Sequence, residues 1–137
     1  MGIVGLDNLA QDIVEFYSEG IDSITASTFA AAKECAESCC EKIKAAAPRG
    51  SGKYRQGWVV RKTPNGYMVY NKTEPHLEMI LENGHVITKG KRKGERIEGV
   101  PHIYDNANEA REKFYNMCVD INASGLRLKF KRHENSL

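Results

Sequence analysis

Several signatures of chemistry are missing from this 137-residue chain: it has no G-x-S-x-G nucleophile elbow, no Walker-type phosphate loop and no H-E-x-x-H pair. Their absence removes the usual sequence marks of serine hydrolases, P-loop nucleotidases and zinc peptidases. Gly50-Ser51-Gly52-Lys53 echoes a phosphate loop only faintly, because it follows a helical pattern and lacks the upstream glycine. No apolar run approaches the ~20 residues that span a bilayer, so a transmembrane helix is not expected. The opening MGIVGLDNLAQD lacks a basic start and a long apolar stretch, which argues against a secretory signal. Leu6 stands where a myristoylation signal needs Ser or Thr.

Cysteine is scarce, and its four copies are badly spaced for bridges or metal. Cys35, Cys39 and Cys40 fall on one helical stretch, where positions four apart lie about 5–6 Å apart at Cβ, wider than a disulfide accepts. With no C-x-x-C or H-x-x-x-H pair, they read as small apolar residues, and no metal or other cofactor is expected. The four histidines, His76, His85, His102 and His133, match no ligand spacing. His85 and His102 read as hydrogen-bonded histidines in or beside a sheet. Glu78 and Glu82, one helical turn apart, read as a solvated or interface face, and Glu82, beside Gly84 and His85, reads equally as an ion-pair partner for a basic residue of the same or next subunit. No enzyme is expected.

With 41% hydrophobic and 28% charged residues the composition is that of a folded protein. One domain is expected, able to bury roughly two-thirds of the surface its unfolded chain exposes. The net charge of +2 is uneven. Residues 1–48 carry three Lys/Arg and eight Asp/Glu, a net −5, whereas residues 49–104 carry eleven and five, a net +6. Such asymmetry bears on partners and assembly rather than on fold.

Residues 1–47 read as a helical segment. Leu6, Leu9, Ile13, Val14, Phe16 and Tyr17 recur at helical spacing, Gly20 stops or bends the run, and Phe29, Ala32, Ala36, Cys39, Cys40 and Ile43 then share one arc. Pro48 ends it by disfavouring helical geometry at Ala47. Residues 54–104 read as a β-rich core. Trp58–Lys62 and Tyr67–Tyr70, separated by Thr63-Pro64-Asn65-Gly66, form a hairpin. A short helix over 76–83 closes on Asn83-Gly84. The stretch 88–98 has no apolar side chain before Ile97 and is expected to be a mobile basic loop bearing Lys89, Lys91, Arg92, Lys93 and Arg96. Asp105 or Asn106 can cap a last helix over 105–122, which Ser124-Gly125 would stop. Residues 123–137, with Arg127, Lys129, Lys131 and Arg132, read as a basic tail or short strand. The expected fold is α+β, with the long N-terminal helical segment and the C-terminal helix packed on a small curved antiparallel sheet.

Nucleic acid is one partner the basic loop and tail could serve, through sequence-independent phosphate contacts. No aromatics interleave with those charges, and no groove-reading motif appears.

The order of features from Ala47 to Phe114 carries more information. Pro48, Ser51-Gly52-Lys53-Tyr54, Trp58, Tyr70-Asn71, Leu81-Glu82-Asn83-Gly84-His85 and Gly99-Val100-Pro101-His102 follow one another around a variable basic excursion before a closing helix. This resembles the tail-component family of tailed bacteriophages and prophages, the head–tail joining and tail-completion proteins. Asn83 stands where Phe or Tyr is common, Arg111 and Lys113 dilute an acidic last helix, and residues beyond Asn122 have no counterpart. The resemblance implies a non-enzymatic virion protein of the neck or tail, made in the host cytoplasm. It implies a ring, often a hexamer, between head-connector and tail-tube proteins. The 88–98 loop is itself expected to be disordered in the free monomer and to order on docking to a ring neighbour or tail tube. Pro48, Gly52, Trp58, Tyr70, Asn71, Glu82, Gly84, His85, Gly99, Pro101 and His102 would be its structural residues.

Overall fold

A computed structural model describes residues 6–50 and 52–136, with side chains outside 6–10, 12, 16, 17 and 126–136. The side chains of the N-terminal apolar positions Leu6, Leu9, Phe16 and Tyr17 and of the basic tail lie outside that set, as does Ser51 of the motif altogether. The fold is α+β. Helix α1 is Leu6–Ala46, α2 is Lys53–Gln56, α3 is Glu78–Asn83 and α4 is Tyr104–Ser136. A 3-10 turn, Pro75–Leu77, precedes α3. Strands β1 (Trp58–Thr63) and β2 (Gly66–Asn71) form one antiparallel ladder, and β3 (Gly84–Val86) and β4 (Arg96–Glu98) form a second. The strands thus divide into two separate ladders rather than one sheet.

Contacts group the chain into two compact units, residues 1–31 with 114–137, and residues 32–113. In the second unit, the α1 arc of Cys39, Cys40, Ile43 and Ala47 meets Tyr54 of α2 and Trp58 of β1 in the main buried cluster. Val60, Val69, Leu77, Leu81, Ile103 and Ala110 pack around it. The ladder register Trp58↔Asn71 and Val60↔Val69 follows from a two-residue connection, Pro64-Asn65, with Gly66 already opposite Thr63. Lys42 pairs with Glu109, and Lys113 with Glu34 at 3.8 Å, so charges flank the α1–α4 contact in this unit. Helix α1 stops at Ala46, before Pro48, and its terminal region is held by the Arg55 guanidinium donating to the Ala47 carbonyl at 2.6 Å.

Three expectations are corrected. Gly20 does not interrupt α1, which continues across it as one 41-residue helix with Gly20 buried. Ser124-Gly125 does not stop α4, which runs on to Ser136, so residues 123–137 begin as helix rather than tail or strand. In the first unit Gly125 serves close approach: a Cβ there would stand 2.9 Å from Cγ1 of Ile24. Packing against α1 offsets a helix penalty of about 1 kcal/mol for such a glycine. The basic segment 88–98 is the distal part of a closed hairpin. Ile87 N–H donates to Glu95 O and Gly94 N–H to Ile87 O, each at 2.8 Å, with Gly90 and Gly94 in the left-handed region at the turns.

Candidate functional site

The segments that carry the resemblance converge on one buried polar group in the second unit. Its centre is Glu82, near the C-terminal end of α3 and 5% exposed, beside His102, 1% exposed. The Glu82 carboxylate receives three consecutive backbone N–H groups. His102 N–H donates to Oε2 at 2.6 Å, Ile103 N–H to Oε2 at 2.8 Å and Tyr104 N–H to Oε1 at 3.0 Å. These are donors at the start of α4, which its own preceding carbonyls cannot satisfy. Glu82 is therefore a helix cap supplied from another element, and its charge faces the positive end of the α4 dipole.

This corrects two readings at once. Glu82 is not a solvated carboxylate, and α4 is capped by neither Asp105 nor Asn106. The helix begins at Tyr104, so Asp105 lies inside its first turn, and the Asn106 side chain instead donates to the His102 carbonyl at 2.9 Å. Burial alone pushes the Glu82 carboxyl upward, but the three backbone N–H groups outweigh it and hold the group below the usual glutamate range.

His102 links this cap to the core. Its Nδ1 lies 2.6 Å from the Val100 carbonyl and 3.1 Å from Glu82 Oε2, both acceptors, so Nδ1 carries the proton. Nε2 then accepts from the Tyr54 hydroxyl at 2.7 Å. Burial, reinforced by the negative charge of Glu78, pushes the Tyr54 phenol up to about 12, consistent with its role as donor. Tyr54, Trp58 and His102 stand edge to face in a triad with ring centroids 5.6–6.2 Å apart. Among the described residues the buried Trp58 Nε1 meets no hydrogen-bond partner.

Asn71, at the end of β2 and 1% exposed, ties the ladder to its neighbours. Its Nδ2 donates to the Tyr54 carbonyl at 2.6 Å, and its Oδ1 accepts from Thr73 N–H at 3.1 Å and Glu74 N–H at 2.9 Å. Its own N–H donates to Glu78 Oε1 at 3.1 Å, so Glu78 braces the end of β2. Gly84 and Gly99 stand where α3 and the β4 exit nearly touch. A Cβ on Gly84 would meet the Ile97 carbonyl at 2.3 Å, and one on Gly99 would meet that of Glu82 at 2.3 Å. Only glycine leaves room for backbone to pass backbone there.

The remaining motif positions are peripheral. Pro48 and Tyr70 are half-buried, Gly52 sits in the left-handed region ahead of α2, and Pro101 is exposed. His85 lies exposed in β3 opposite Ile97 and makes no part of the buried group. Lys89, Lys91, Arg92, Lys93 and Arg96 are exposed on the β3–β4 hairpin, away from burial. Arg92 pairs with Glu95 at 2.7 Å, and Arg96 pairs with Glu98 and donates to the Asn83 carbonyl.

Chemically the group is saturated: each polar atom of the Glu82–His102–Tyr54 chain has a partner within the protein. Cys39 and Cys40 are buried thiols pushed up by desolvation, the opposite of an activated nucleophile. Among the described residues no three His, Cys, Asp or Glu side chains stand where they could share a metal ion, and no helix is long and apolar enough to cross a membrane. The class defined is an α+β chain with a buried capping network between its helices and hairpins. Comparison with protein-family models, with curated proteins and with solved structures returns no match.

Proposed function

We propose that this chain is a structural subunit of a phage or prophage virion, a head–tail connector or tail-completion protein that assembles as a ring between head connector and tail tube. The observation that carries the reading is the convergence of Tyr54, Trp58, Asn71, Glu82, Gly84, Gly99 and His102. These seven of the positions on which the family resemblance rests are used for capping and close packing inside the second unit. Such a group makes a rigid platform and offers no substrate a reacting atom. Apolar side chains left on the outside, among them Met79, Val86, Ile97 and Tyr115, suit a protein that completes its burial by association. Its place would be the neck or tail of the particle, reached from the host cytoplasm.

A small nucleic-acid-binding protein is the alternative, and the hairpin argues against it: Glu95 and Glu98 stand among the cations and pair with two of them. Electron microscopy of the purified protein, alone and mixed with tail tubes from the same phage or prophage, tests the assignment. Rings, or tubes capped at one end, are expected. Bare tubes and scattered monomers at every ratio would refute it.

A further inference from the structure

We infer that the β3–β4 hairpin of one copy docks on the N-terminal part of α1, residues 11–22, of a second copy. The inference rests on the assembly reading above and names its contact. It starts from what the hairpin lacks. From His85 to Glu98 every residue except half-buried Ile87 is exposed, so neither face of this two-stranded ladder is covered. A bare two-stranded hairpin is marginal in water. This one nevertheless carries Val86, 50% exposed, and Ile97, 40% exposed, on opposite faces. At its tip Lys89, Lys91 and Lys93 are exposed and enter no ion pair among the described residues.

Apolar side chains flanked by unpaired cations call for an apolar, acidic protein surface. A nucleic acid would meet the Glu95 and Glu98 carboxylates and no Phe, Tyr or Trp on which bases could stack. The chain itself presents the complementary surface. Residues 11–22 carry four Asp/Glu and no Lys or Arg. Val14 and Ile21 are 67% and 59% exposed, and Glu15 and Asp22 are exposed as well. Both pairs are spaced by one heptad. At 100° per residue they form adjacent stripes, an apolar one beside an acidic one, each about 10 Å long. The whole units repeat the pattern. Residues 1–31 with 114–137 hold four Lys/Arg and seven Asp/Glu, a net −3, and residues 32–113 hold sixteen and eleven, a net +5. A contact between unlike patches of two copies is heterologous and repeats head to tail, the geometry from which rings close.

Charge reversal on each side tests the contact. Lys89→Glu/Lys91→Glu/Lys93→Glu reverses the arm, and Glu15→Lys/Asp22→Lys reverses the helix stripe. All five positions are exposed, and unchanged circular dichroism and melting would verify folding. If either variant melts early, glutamine at the same positions serves in its place. By sedimentation velocity at low salt, the wild-type chain is expected to self-associate, and each variant alone to do so about tenfold more weakly. An equimolar mixture should recover association, since each arm then meets a helix of opposite charge. Added salt should weaken the wild-type contact, because exposed charges are screened beyond about 8–10 Å. Unchanged self-association in both variants would overturn this contact while leaving ring assembly standing. A wild-type chain that stays monomeric across concentration and salt also overturns it, and tube capping then decides the assembly reading separately. Binding of duplex DNA that vanishes with the arm lysines, without self-association, would assign the hairpin to phosphate instead.

Discussion

Glu82→Gln is expected to lower folding stability by about 3 kcal/mol, and Glu82→Ala by about 3–5 kcal/mol, the range for breaking a buried charged group with hydrogen-bonded partners. The amide is nearly isosteric, but only one of its two terminal atoms can accept. At least one of the His102, Ile103 and Tyr104 N–H groups would then face another donor. Alanine leaves all three without the carboxylate and deprives His102 Nδ1 of one neighbour. Thermal unfolding followed by circular dichroism should show the glutamine variant melting about 10 °C lower at neutral pH. A shift of a degree or two would mean that water can replace the carboxylate at the α4 terminus.

The same residue sets an acid limb. Because the folded-state carboxyl titrates below its unfolded value, its stabilisation is complete above the ordinary glutamate range near 4. It fades as the pH falls through the lower folded value. In Glu82→Gln this contribution to acid sensitivity should disappear. Wild-type and variant stabilities should therefore draw together as the pH is lowered from 5 towards 2. Parallel curves would show that the cap carries no differential charge energy.

Trp58→Ala should be destabilising by about 3–5 kcal/mol, the usual loss for truncating a buried large aromatic. Trp58 is 2% exposed and lies in the cluster with Cys39, Cys40, Ile43 and Ala47, edge-on to both Tyr54 and His102. Its removal opens a cavity under the network that seats the α4 cap. Trp58 is the single tryptophan, so the comparison needs denaturant unfolding followed by circular dichroism. A loss under about 1 kcal/mol would place the ring outside the core.

Local patterns were readable where the physics is local. Pro48 marks the end of α1 because its effect is on the residue before it, and the apolar arc over Cys39, Cys40 and Ile43 is the buried one. The Pro64-Asn65-Gly66 turn announces the first hairpin, since register there follows from the connection. The readings that failed share a cause. Gly125 resembles a helix stop until Ile24 is seen against it, and Asp105 resembles a cap until a carboxylate from α3 occupies that place. The one sequence hint of the latter is that His102 and Ile103, just before α4, offer no aspartate, asparagine, serine or threonine to cap it.

Periodicity, proline and turn chemistry thus determined by themselves the α+β class, the presence of an N-terminal and a C-terminal helix and the first hairpin, because each depends on neighbours a few residues apart. Tertiary structure alone decided that Glu82, His102 and Tyr54 form one chain of hydrogen bonds, that two glycines let α3 pass the β4 exit, and that the basic segment is a paired hairpin. Those outcomes depend on groups 10–48 residues apart meeting in space, and a buried polar atom takes whichever partner the fold brings within 3 Å.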